Sequence, residues 1–403
     1  IILKNDVSNM YITEVDCKMN DIKAPILTVL GYPSKPTTMG GLRWLKRVVD
    51  CIEEKGRFDV RKVDNYRIIS NRINKDRTIV WTFFSLIDDL RDALKALFTN
   101  PDIAILDTYG ETNLILWILL RFFRPKAKIL TVFHHYETTS TIQIKEDNNK
   151  ISKLFCFYYN HLVEWAFKNM IRNSDRIITV SISSMHQLYS LCGLTEEEIR
   201  KKVTVVGASI DPFPIHKFIN NTKAKDVDFL CVGRIDKFEG IEKIWELLRE
   251  KNPNANFVMI GKASNKQIDN FHKLGIDHKG IVSEDEKFSI YLRSKVFLFP
   301  STREGFGMAV AEALYAGLSV VAWRIPVFEE LYDNIRDLER LQLINRSDYQ
   351  SFAREASRIL YSLQTKMMAP EKKDRINNLK KWKDVSERVM KVLNGMNDQS
   401  RLI

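Results

Sequence analysis

The sequence has no apolar run long enough to cross a membrane as a helix. Its most apolar stretch, Leu114 to Leu120, is cut short by Arg121 and Arg124, well below the roughly 18 residues a span requires. No secretory signal opens the chain, so it is expected to stay in the cytoplasm. CxxC pairs are lacking too. The five cysteines, Cys17, Cys51, Cys156, Cys192 and Cys231, are odd in number and scattered, which speaks against a disulfide framework or a zinc site and for buried thiols in a reduced compartment. There is no internal repeat, no low-complexity tract and no basic tail. Residues 1–215 carry a net charge of +5 and the remainder +6, out of a total of +11. A positive field spread this evenly suits anionic small ligands, anionic lipid surfaces and nucleic acid alike.

What is present is the composition of a globular protein, 45% hydrophobic and 28% charged over 403 residues, a length that favours two domains. Short apolar runs alternate with helical patterns. Ile26 to Leu30 reads as a strand. Gly40-Gly41 then opens a helix with Leu42, Leu45, Val48, Val49 and Ile52 on one face, and with Arg43, Lys46 and Arg47 on the solvent side. Strands are expected over 102–106, 128–133, 176–180 and 203–206, and helices over 112–123 and 152–171. The segment from Asp211 to Asp226, with Pro212 and Pro214, reads as a linker. A second set follows, with strands over 228–232, 256–260, 296–299 and 319–322 and helices over 240–250 and 308–316. A last helix covers about 372–394 and carries Trp382. This rhythm predicts an α/β chain of two doubly wound, Rossmann-like domains facing across a cleft, with ligands beyond the carboxyl ends of the strands. The expected division is 1–217, 218–370 and a C-terminal piece 371–403.

The most informative segment runs from Pro300 to Gly317. An apolar strand ends at Pro300. A loop holds Glu304, Gly305, Phe306 and Gly307, and a helix starts at Met308. Glycines there let a ligand approach the backbone and leave N–H groups pointing at it, which suits a phosphate. Carboxylates at Glu304 and Glu312 beside such a corner suit hydroxyls on a sugar or ribose. The bland reading, a solvated Glu and an ordinary helix Glu, fits the spacing about as well.

Further pieces share this order along the chain: Gly40-Gly41, Thr131-Val-Phe-His134, the strand Ser174 to Ser181, Val205 to Asp211, Val232-Gly233-Arg234, Phe257 to Gly261 and Gly280 to Ser283. Together with the E-x7-E spacing of Glu304 and Glu312, this series resembles the family 4 retaining glycosyltransferases of GT-B fold, over residues 26–392. The resemblance implies that Glu312 bonds the ribose hydroxyls. It implies that Glu304 bonds the transferred sugar, with backbone N–H groups from Gly305 to Met308 around sugar and phosphates. Arg234, next to Gly233, would hold the diphosphate, where a guanidinium fork meets the charge that builds on the leaving group. Ile281 would contact the base, Gly40 and Gly41 would form the acceptor or phosphate loop, and His134 would act at the cleft. The last helix would cross back to the first domain. Glu239 stands where the family has a lysine, and Lys237 is the nearest replacement. His135 follows His134, and the sequence leaves open which one faces the cleft.

The function implied is retaining transfer from a nucleotide-diphosphate-sugar to a hydroxyl of a glycan, a lipid-linked acceptor or a small molecule. No metal or other cofactor is expected. The alternative is a non-catalytic GT-B scaffold that binds partners. Asp226 and Asp228 form a DxD pattern, which is set aside as a metal site because it lies where a linker enters a strand. Leu114 to Phe123, and the aromatic-rich 151–172 with Trp165, read first as core helices and second as a peripheral foot on an anionic membrane. Nucleic acid is not an expected partner.

Overall fold

The computed structural model describes residues 24–30, 32–33, 40–64, 78–108, 111–135, 150–210, 225–332, 340–364 and 381–398. The expected linker core and the 217/218 and 370/371 boundaries lie outside these residues, as do residues 372–380 of the expected last helix.

Two parallel six-stranded sheets organise the chain. The first contains β1 (Ile26–Leu30), β2 (Asp59–Val63), β3 (Ile103–Asp107), β4 (Lys128–Phe133), β5 (Arg176–Thr179) and β6 (Val203–Val205) in the order β2-β1-β3-β4-β5-β6. Its inner strands β1, β3 and β4 are buried on both faces, which is why they read as continuous apolar runs. Alternate side chains go to opposite faces. Leu27, Val29, Ile105 and Val132 pack with Trp44, Val48 and Ile52 of helix Gly40–Glu54. Leu30, Ala104, Leu106 and Ile129 pack with helices Thr78–Phe98, Glu111–Phe123 and Lys150–Arg172.

The second sheet contains β7 (Val227–Val232), β8 (Phe257–Ile260), β9 (Asp277–His278), β10 (Ser294–Phe299), β11 (Ser319–Trp323) and β12 (Leu341–Ile344), ordered β12-β11-β10-β7-β8-β9. The chain order reverses between β7 and β10, and ligands of such sheets bind at the carboxyl end of that junction. Helix Trp382–Asp398 packs back on helix Gly40–Glu54, with Lys55 4.0 Å from Glu387.

The architecture matches the expectation of two doubly wound sheets. Three readings are corrected. Helix Lys150–Arg172 is not simply core, since Leu154, Phe157, Tyr158, Leu162 and Trp165 are exposed. Helix Glu111–Phe123 likewise leaves Ile118, Phe122 and Phe123 in solvent. Arg43 does not lie on a solvent face: its side chain is only 15% exposed and reaches into the second half of the chain. The DxD pattern is consumed by structure. Arg293 Nε donates to Asp226 at 2.8 Å, and Lys295 pairs with Asp228 at 2.7 Å.

Candidate functional site

The loops after β7, β8, β9 and β10 converge at the carboxyl edge of the second sheet. After β7, Gly233 adopts φ 153° and Arg234 precedes the 3-10 turn Ile235–Lys237. That turn is tied to the loop after β10: Phe238 bridges Ser301, and the Glu239 N–H donates to Pro300 O at 2.9 Å. Arg234 and Lys237 therefore share a corner with Glu304, whose carboxylate accepts from Ser301 Oγ at 2.9 Å. After β8, the Gly261 N–H donates to Gly280 O at 2.8 Å, which brings the exposed Ile281 to the same edge. The helix Met308–Tyr315 opens at Gly307, in the left-handed region at φ 76° and ψ 49°. A side chain there would run into the Phe328 ring. Phe306 is buried, so what this turn offers a ligand is its backbone.

Glu312 sits one turn into that helix and is 3% exposed. Both its oxygens are engaged. Arg43 Nη2, from the first half, lies 2.5 Å from Oε1, and Lys287 Nζ lies 3.2 Å from Oε2. Tyr291 OH donates to Oε2 at 3.5 Å. Glu284 completes the group, 3.4 Å from Arg43 and 2.9 Å from Lys287. Burial pushes the Glu312 carboxyl up, but Arg43 and Lys287 outweigh it and hold it below its usual value. A carboxylate has about four lone-pair sites, so one acceptor direction beyond these three donors remains for a hydroxyl.

The first half meets this corner through the end of β4. His134 stacks edge-on against Trp44 with ring centroids 5.4 Å apart, and its Nε2 lies 3.4 Å from Asp107. His135 points the other way, with Nε2 3.2 Å from Lys237 Nζ. A side-chain carbon on Gly305 would come 2.5 Å from the His134 carbonyl oxygen and 3.3 Å from His135 Nδ1. The glycine thus permits the two backbones to touch. His134 O also accepts from Ser184 Oγ. A second bridge comes from Glu330, whose two oxygens accept from the Ile182 and Ser183 N–H groups at 2.7 Å each. There it caps helix Ile182–Cys192 from the other half of the chain.

Glu239, in the expected lysine place, turns away from this corner. Ser347 Oγ and Arg346 Nε donate to it at 2.6 Å each, and Ser347, Arg346 and Tyr349 hold its carboxyl below the usual value. Gly40 and Gly41 open their helix, one turn before the Arg43 that reaches Glu312.

The two facing sheets are shared with many solved structures. Sucrose-phosphate synthase from Thermosynechococcus elongatus superposes with a TM-score of 0.71 over 94% of this chain and all of that one, at 13% identity. Anabaena HepE, in complex with UDP, does so with a TM-score of 0.60 over 92% of this chain and all of that one, at 12% identity. The fold is GT-B. Residues 212–399 of this GT-B chain match the family described as Glycosyl transferases group 1. An uncharacterized glycosyltransferase of Methanocaldococcus jannaschii is 28% identical over 169 residues, 37% of this chain and 42% of that one. The chain spans less than half the length of the first curated relatives it matches. These likenesses show the GT-B fold and a group 1 match confined to residues 212–399.

Among the expected residues, Arg234, Lys237, Ile281, Glu304 to Met308 and Glu312 gather at one edge. His134 sits across the cleft, with its ring turned to Trp44 and Asp107. Arg43, Glu284, Lys287 and Glu330 are not legible as site residues, because each takes its meaning from a partner more than 100 positions away or from a neighbour on a helix that reads as plain surface. Arg43 alone has a local signal, its place three residues after Gly40.

Proposed function

We propose that the chain transfers a sugar from a nucleotide-diphosphate-sugar to a hydroxyl acceptor with retention of configuration and without a divalent metal. The observation that carries this reading is the corner itself. Arg234, Lys237 and the backbone at Gly307 supply positive charge where a diphosphate would lie, and the buried Glu312 and loop Glu304 stand ready for hydroxyls. The bond from the anomeric carbon to the diphosphate oxygen breaks, and the charge arriving on that oxygen is stabilised by the guanidinium, the ammonium and the helix start. The acceptor hydroxyl forms the new bond on the same face and gives its proton to the leaving oxygen, so no side-chain base is needed. In this reading residues 1–217 bind the acceptor, 218–370 bind the donor and 371–403 return to the first half. The acceptor is a glycan, a lipid-linked hydroxyl or a small molecule. The UDP bound by Anabaena HepE favours a nucleoside diphosphate donor here.

The test is a thermal-shift screen of nucleotide sugars, followed by hydrolysis and transfer assays of the best binder with and without a chelator. Stabilisation by a nucleoside diphosphate, with turnover that survives chelation, is expected. Absence of any nucleotide-dependent shift would favour the non-catalytic scaffold. Activity that a chelator abolishes and manganese or magnesium restores would defeat the metal-free step.

A further inference from the structure

Twelve of the sixteen large hydrophobic side chains exposed among the described residues fall on three neighbouring helices of the first half. Helices Thr78–Phe98, Glu111–Phe123 and Lys150–Arg172 lie side by side over one face of the first sheet. Each presents its own outward stripe at helical spacing. On the first it is Phe83, Ile87, Leu90 and Phe98; on the second, Ile118, Phe122 and Phe123. On the third it is Leu154, Phe157, Tyr158, Leu162 and Trp165. Single exposed apolar residues are ordinary, but a patch shared by three helices marks an interaction surface.

The first of these helices is inverted over its middle. Asp88, Asp89 and Asp92 are buried at 0–1% exposure, and Arg91 and Lys95 pair with this acidic side. A water-facing helix places its charges outward; this one keeps three acids in and an apolar stripe out, though Ala93, Ala96 and Leu97 near its end join the core.

The charge around the patch selects the partner. Residues 112–127 contain Arg121, Arg124 and Lys126 and no acid. Phe122 and Phe123, 81% and 63% exposed, stand between the first two of these cations. Lys168 and Arg172 on the third helix stand against one acid, Glu164. Aromatic and aliphatic side chains flanked by Lys and Arg suit the headgroup boundary of an anionic bilayer. No described helix is long and apolar enough to cross one. A second copy of the chain is a poor partner, because a two-fold contact would set Arg121, Arg124 and Lys126 against their own images. Three stripes side by side also make a surface wider than one docked helix would cover.

We infer that this three-helix face is a docking foot for an anionic lipid surface, which holds the chain peripherally at the membrane. The inference is independent of sugar transfer, since docking requires neither donor nor turnover.

Flotation of the full chain with phosphatidylglycerol–phosphatidylcholine vesicles tests it, with pure phosphatidylcholine as the comparison. The chain should float with the anionic vesicles, and rising salt should release it. The double variant F122S/F123S should lower the bound fraction at least about tenfold, as loss of two inserted rings requires. R124E/K126E should do the same through charge, while Y361S, an exposed ring on a helix of the second half, should bind like the parent. Circular dichroism on each variant guards against misfolding. No flotation, equal flotation with both vesicles, or flotation untouched by both double variants overturns the inference. So does concentration-dependent self-association that F122S/F123S abolishes, because the face would then join two copies.

Discussion

Glu312 is a buried carboxylate with three donors already on it, and this changes which substitution is informative. Removing it outright would leave Arg43 and Lys287 to share Glu284 alone, so lost packing and lost pairing would weaken the fold together. Glu312→Gln keeps the shape and loses the charge. It should weaken nucleoside diphosphate binding about tenfold or more, since a hydrogen bond to a charged group contributes roughly 1.5–3 kcal/mol. Calorimetric titration of folded variant and parent checks this, and equal affinities would remove Glu312 from the ribose. The loop after β7 gives a paired expectation. Lys237 faces the cleft beside His135, so Lys237→Ala should lower turnover by about 10²-fold or more, the scale of losing one preorganised electrostatic contact. Glu239 faces Arg346 and Ser347 instead, so Glu239→Ala should leave turnover within about twofold and cost no more than about 1 kcal/mol, as partly exposed pairs do. Steady-state kinetics and melting of the two variants decide it. An inactive Glu239→Ala beside a silent Lys237→Ala would mean that the loop works in the opposite sense.

Elements differ in how openly the sequence declares them. Buried strands such as β4 and β7 are apolar runs and read directly, because a sheet covered on both faces needs apolar side chains on both. The edge strand β2 hides behind Arg61 and Lys62, since one of its sides is left to water. Helix Thr78–Phe98 hides for the opposite reason: over its middle Asp88, Asp89 and Asp92 face in and an apolar stripe faces out, while Ala93, Ala96 and Leu97 near its end join the core. The corner after β10 is legible because glycine and carboxylate types carry their chemistry locally. Its contact with β4 is not, because nothing near Gly305 in sequence announces the His134 carbonyl. That contact yields a test of element placement. A methyl group at 305 meets backbone at 2.5 Å, and backbone cannot swing aside as a side chain can. Gly305→Ala should therefore part the two loops and lower kcat by about 10²-fold, the scale of a 1 Å misplacement. Small-angle scattering should show a larger radius of gyration than the parent's. An unchanged radius together with unchanged kcat would mean that the close approach plays no part in function.

At the scale of the whole molecule, the apolar packing of helix Trp382–Asp398 on the first half is joined by polar contacts between the halves: Arg43 with Glu312 and Glu284, His135 with Lys237, and Glu330 on helix Ile182–Cys192. Polar clasps of this kind depend on solution conditions in a way that an apolar seam does not. Glu312 sets the sign. Its carboxyl lies below the ordinary value of 4.5 when the clasp is closed, so the ionised form is favoured by closure. The stabilisation is fully present above 4.5 and fades as pH falls below it through the closed-state value, where the carboxyl takes up a proton and Arg43 is left with Glu284. The slope has this direction because the open or unfolded chain binds more protons in that window. Melting temperature and radius of gyration followed from neutral pH down to about pH 3, where ordinary carboxyls have titrated, should show the halves loosening before the sheets unfold. Glu312→Gln should melt lower at neutral pH and lose part of the acid dependence, because the residue no longer titrates. If parent and variant fall in parallel across the whole range, the Arg43–Glu312 pair is not what couples closure to pH.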